Sequence, residues 1–119
     1  MKEEIITQLG KLPELINSKG KELLEKRQIY DELKLSLKTI EVITLSGIES
    51  DKDENDKPKF SNESKRKIEL DNRLKINAEY QEKTVLVDNL KISINNLDLE
   101  LEFCNNRFKS ARAIAGLLE

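Results

Sequence analysis

The sequence predicts an all-α protein: a long antiparallel helical hairpin of coiled-coil type with a polar connecting loop, assembling into an oligomeric helical bundle. Three observations lead there. The 119 residues include only four Gly and two Pro, so the chain has few places to turn. Its aromatics are three Phe and two Tyr with no Trp, while charged residues make up 37% of it, which leaves little bulk for the thick core of a mixed domain. Apolar residues also recur at alternating steps of three and four over two long runs, the spacing of a helix that packs along another helix.

The first run predicts a helix over about residues 12–46, with Leu9, Leu12, Ile16, Leu23, Tyr30, Leu33, Leu37 and Ile40 on the seam and Lys19 and Lys26 interrupting it. Gly10 and Pro13 predict a bent lead-in before Leu12, because proline is tolerated in the first turn of a helix and not deep inside one. Gly20 weakens this helix by about 1 kcal/mol relative to alanine, which calls for packing to sustain it.

A flexible loop is expected over about residues 47–60, where Glu49 to Lys59 is almost free of apolar side chains and contains Pro58. The second helix is expected over about residues 61–118. Ser61 or Asn62 can cap it, Glu63 suits the positive end of its dipole, and Phe60 can staple its entry. Its seam runs through Ile76, Tyr80, Val87, Leu90, Ile94, Leu97, Leu101, Cys104, Phe108, Ala111, Ala115 and Leu118, with Lys83 as the charged member. A helix of this length needs a partner along most of it, and the first helix folded back is the obvious one. The chain then forms a single helical-hairpin domain over residues 1–119.

A two-helix hairpin buries one stripe per helix, and this sequence has more. Val85, Ile92 and Leu99 repeat at steps of seven away from the main seam, with Phe103, Ala113 and Leu117 nearby; Leu35 and Val42 do the same on the first helix. Left in water, such stripes are unusual for a monomer, so Leu35, Val42, Val85, Ile92, Leu99 and Phe103 are expected to form an interface between copies of the chain. The alternative cover is a folded-over N-terminal segment carrying Ile5 and Ile6.

Catalytic chemistry is not expected. There is no histidine and no glycine-rich phosphate loop. The single cysteine, Cys104, falls on the seam as a small core residue and makes neither a disulfide nor a zinc site by itself. Asp98, Glu100 and Glu102 read as a solvated face, because catalytic carboxylates need burial or an unusual neighbour. Asp51, Asp53, Asn55 and Asp56 lack the central glycine and terminal glutamate of a calcium loop. No metal and no cofactor are therefore expected. The start of the chain lacks the apolar core of a signal peptide, and no stretch approaches a membrane span, so a cytosolic protein without membrane contact is expected.

With a formal charge of −2, any contact with nucleic acid must be local. Lys65, Arg66 and Lys67 open the second helix, followed by Arg73 and Lys75, and Arg107, Lys109 and Arg112 lie near the C-terminus. Repeated around an oligomer, such clusters gain phosphate affinity by avidity. Against this, basic residues beside a loop or near a helix C-terminus are commonly just solvated or dipole-complementing.

The segment from Pro58 onward, with Ser61-Asn62-Glu63-x-x-Arg66 opening a long helix after a polar loop, resembles short helical proteins of bacteriophages and prophages. With the Leu101-Glu102-Phe103-Cys104 run followed by basic and small residues, the layout is similar to the phage recombination mediator family typified by UvsY. The resemblance implies an oligomeric hairpin in the host cytosol that binds single-stranded DNA, contacts a single-strand-binding protein and helps load a recombinase. It also implies DNA contact by basic residues just before the central loop. Lys38 matches that position, but Thr39, Ile40 and Glu41 supply no arginine beside it, and Lys65, Arg66, Lys67 and Arg73 are the candidates to take over the contact. The competing expectation is a helical protein–protein interaction module, an adaptor, assembly factor or inhibitor, without nucleic-acid binding.

Overall fold

The computed structural model describes residues 2–118, apart from the side chain of Leu118, whose expected seam position therefore lies outside the described residues. It is all-α, with helix α1 over Lys2–Ser50, α2 over Glu63–Ile76 and α3 over Ala78–Leu118. The chain divides into two compact units, one of Met1–Ile29 with Leu90–Glu119 and one of Tyr30–Asn89.

In the first unit the early part of α1 lies antiparallel to the later part of α3. Ile5, Leu12, Leu23, Leu97, Cys104 and Ala111 are buried, and all but Ile5 occupy the predicted seam. The lysines that interrupt the pattern serve it. Their stems lie along the seam and their ammonium groups reach across: Lys19 Nζ donates to Glu100 Oε2 at 2.6 Å and Lys26 Nζ to Ser93 Oγ at 2.5 Å. Arg27 adds an exposed ion pair, one guanidinium nitrogen donating to both Asp98 carboxylate oxygens at 3.0 and 3.2 Å.

The expected lead-in before Leu12 is corrected: α1 starts at Lys2 and runs through Pro13. A proline there removes the hydrogen bond to Leu9 and crowds that carbonyl, at a cost of about 3 kcal/mol. Burial on both sides of it, at Ile5 and Leu12 upstream and Leu23 downstream, holds the helix together across the defect. Ile5 thus belongs to the main seam, while Ile6 is 58% exposed, so the N-terminal segment does not fold over the second stripes. Gly20 is not a close-packed site either, since a Cβ there meets nothing within 4 Å.

The second unit holds the end of α1, the connector, α2 and the start of α3. The connector supplies its own structure. Asp53 Oδ1 accepts from the backbone of Asn55 at 2.8 Å and Lys57 at 3.0 Å, and the backbone pairs Asp53 N–H with Lys57 O at 2.8 Å and Lys59 N–H with Asp51 O at 2.9 Å. Asp56 sits at φ 61°, a left-handed conformation that aspartate tolerates better than most residues. Asn62 then caps α2, its side chain accepting from Lys65 N–H at 2.8 Å.

The single long second helix is also corrected. It breaks at Asn77, which has extended backbone (φ −79°, ψ 107°) and serves both helices: its N–H bonds Leu74 O at 3.2 Å, and its Oδ1 accepts from Tyr80 N–H at 3.0 Å. Gln81 bridges the gap by donating from Nε2 to Leu74 O at 3.0 Å. The break re-aims α2. Leu74 becomes buried, whereas Ile76, expected on the seam, is 85% exposed. Ile48, near the end of α1, is the most enclosed side chain of the described residues, at 0% exposure.

Candidate functional site

Lys65, Arg66 and Lys67 occupy the first turns of α2 because Asn62 starts the helix just before them. Lys65 and Lys67 are exposed, and neither lies within ion-pair distance of a carboxylate among the described residues. Arg66 is half-buried and donates from one guanidinium nitrogen to Phe60 O at 3.3 Å. Lys59, just upstream, stands over the Phe60 ring at 5.8 Å from its centre. The turn from connector into α2 therefore gathers cations around one half-buried phenyl ring.

Arg73 is differently placed. It donates to Asp51 Oδ2 at 2.6 Å and to Glu69 Oε1 at 2.9 Å, and stands over the other part of the same cluster, 5.7 Å from the Phe60 centre. The hydrogen bonds to Asp51 and then Glu69 raise its pKa further above the ordinary arginine value. With two carboxylates on its guanidinium, it ties the connector to α2 and has little left to offer a phosphate.

Lys38 is exposed on α1, on the rim of an open hollow with Leu35, Glu41, Tyr80 and Thr84. Lys65 lies at the far end of α2 from Asn77, and the 14 residues of that helix span about 20 Å. The structure thus does not gather Lys38 with the cluster at the head of α2. Under Lys38, Tyr80 donates its hydroxyl to Glu41 Oε1 at 2.6 Å, and this bond, followed by burial, pushes the tyrosine pKa up to about 12. Lys83 donates to Ser36 Oγ and to Glu79, so the charged member of the second seam is a cross-helix tie like Lys19 and Lys26.

All six residues expected at an interface stand in the open. In the second unit Leu35, Val42 and Val85 are exposed; in the first unit Ile92, Leu99 and Phe103 are, with Leu99 at 65% and Phe103 at 62%. Cys104 is buried, as a core residue is. Sequence reasoning missed the tying role of the seam lysines, whose only signal was their place in the three-and-four pattern. Among the described residues no group of three or more Cys, Asp or Glu is placed to hold a metal ion, and no helix is long and apolar enough to cross a membrane. No protein-family model, curated protein or solved structure matches the chain.

Proposed function

We propose that the chain is a non-catalytic accessory protein of the recombination-mediator kind, working in the cytosol of the host cell, which assembles through its exposed apolar stripes and contacts single-stranded DNA with the basic head of α2. The observation that carries the nucleic-acid part is the pair Lys65 and Lys67, exposed and without carboxylate partners beside Arg66 and Lys59. Such a cluster neutralises a few phosphates at most, so useful affinity comes from its repetition in an assembly. Arg73 acts on this cluster only indirectly, by fixing Phe60 and the connector. A single-strand-binding protein and a recombinase are the protein partners that this role brings with it.

The second reading, a protein–protein interaction module without nucleic acid, is favoured by Arg73 being occupied by two carboxylates and by Lys38 lying apart from the cations at the head of α2. Fluorescence anisotropy of a labelled single-stranded oligonucleotide separates the two. The mediator reading expects binding that falls steeply with salt and drops at least tenfold when Lys65, Arg66 and Lys67 are all replaced by alanine, with helicity unchanged. Absence of binding at low salt by the intact assembly removes the nucleic-acid role and leaves the protein-binding one.

A further inference from the structure

The later part of α3, in the first unit, carries two seams. One is the buried seam through Leu97, Cys104 and Ala111 that packs on α1. The other faces outward. Ile92, Leu99, Phe103, Ala113 and Leu117 lie on it, and the positions that complete its alternation of four and three are Asn96, Asn106 and Ser110. All eight are exposed and none is charged, in a chain of which 37% is charged. A solvated helix face does not need this spacing or this exclusion of charge, whereas a face packed on another helix needs both. Polar amides at a few seam positions are the usual means by which such a pair fixes its register.

The flanks of this seam say what covers it. Glu100 and Arg107 lie seven residues apart along one flank, and Glu102 and Lys109 seven apart along the other. The first half of each flank is thus acidic and the second half basic. A second copy of the same helix laid antiparallel sets acid against base on both flanks at once, giving four cross-copy ion pairs, and its two-fold symmetry makes the surface its own complement. Laid parallel, the same flanks pair only Glu102 of each copy with Arg107 of the other, two ion pairs in place of four.

We infer that the outer face of α3 from Ile92 to Leu117 is a self-complementary docking surface for a second copy of this chain, running antiparallel, with Glu100 and Glu102 of each copy facing Arg107 and Lys109 of the other. This rests on the reading that the chain works as an assembly and names the surface and orientation that reading lacks. Glu100 already accepts from Lys19 through Oε2, and its other oxygen remains to meet the second copy.

The test is sedimentation equilibrium of the full chain, with helicity recorded alongside. The expected mass is at least twice the chain's 13.7 kDa, and replacing Ile92 and Leu99 together by lysine reduces it by half or more with helicity retained, because both side chains are already in water. Charge reversal sharpens this: Glu100→Lys with Glu102→Lys weakens association at least tenfold, and adding Arg107→Glu and Lys109→Glu restores it. For orientation, chains carrying Cys104→Ala with either Asn96→Cys or Ala113→Cys are mixed under mild oxidant. The antiparallel register brings position 96 of one copy near 113 of the other, so the mixed disulfide forms in excess over either self-disulfide. A monomer at all concentrations, or self-disulfides at Asn96→Cys in excess, overturns the inference. Oligonucleotide binding measured on the same samples is read separately: binding by a monomer leaves the single-strand role standing without this surface.

Discussion

The two units solve the same packing problem with different means. The first is a pair of antiparallel helix segments whose buried residues follow one unbroken alternation of three and four, with lysine ties across it. The second must also turn the chain, start α2 and break before α3, and it relies on specific side chains to do so: Asp53 in the connector, Asn62 and Asn77 at helix ends, Arg73 between Asp51 and Glu69. A periodic seam tolerates many apolar residues at each position, whereas a turn or a break depends on a few polar atoms in fixed places.

The largest expected effect tests whether the units are separable. Ile48→Ala empties the most enclosed site in the second unit and is expected to cost about 2–5 kcal/mol, with amide protection falling more within residues 30–89 than elsewhere. Equal loss throughout the chain breaks the distinction between the units. Pro13→Ala is expected to act in the opposite direction in the first unit, stabilising by about 1–3 kcal/mol because α1 already continues through this position. No gain in denaturant midpoint means that the proline strains the helix less than its missing hydrogen bond implies. Asn77→Ala removes the cap shared by α2 and α3 and is expected to cost about 1 kcal/mol; an unchanged midpoint shows that Gln81 sustains the break without it.

The smallest effect is read by pH. The bond from Tyr80 to Glu41 holds the phenol in its protonated form, raising its pKa from 10.0 to about 12. Its stabilisation is therefore complete below pH 10 and lost as the pH rises from there through about 12. Ultraviolet titration of the tyrosinates should show Tyr80 ionising at about that pH, with the late phase absent in Tyr80→Phe. A tyrosinate spectrum complete by pH 11 contradicts the bond.

What the sequence made legible follows from the same contrast. The hairpin and the seam from Val87 to Ala111 were readable because each heptad repeats the same evidence, and the exposed stripe through Ile92, Leu99 and Phe103 was readable for that reason. The helix break was not. Ile76 lies four residues before Tyr80 and fits an uninterrupted seam, and one asparagine with a suitable glutamine four residues later was enough to turn α2 and put Leu74 inside instead. The basic cluster was legible as composition, yet which of its cations are free depends on contacts such as Arg73 with Asp51, 22 residues away in sequence. The bent lead-in failed because the local cost of Pro13 is smaller than the burial on either side of it.

The proposed function needs exposed helical faces that act in an assembly. Its most direct test is sedimentation velocity of the unmodified chain with a labelled single-stranded oligonucleotide, at low and at physiological salt, following protein and label together. The expected result is a multimer that carries the oligonucleotide with it and releases it as salt rises. A 13.7 kDa monomer sedimenting apart from free oligonucleotide at low salt contradicts it.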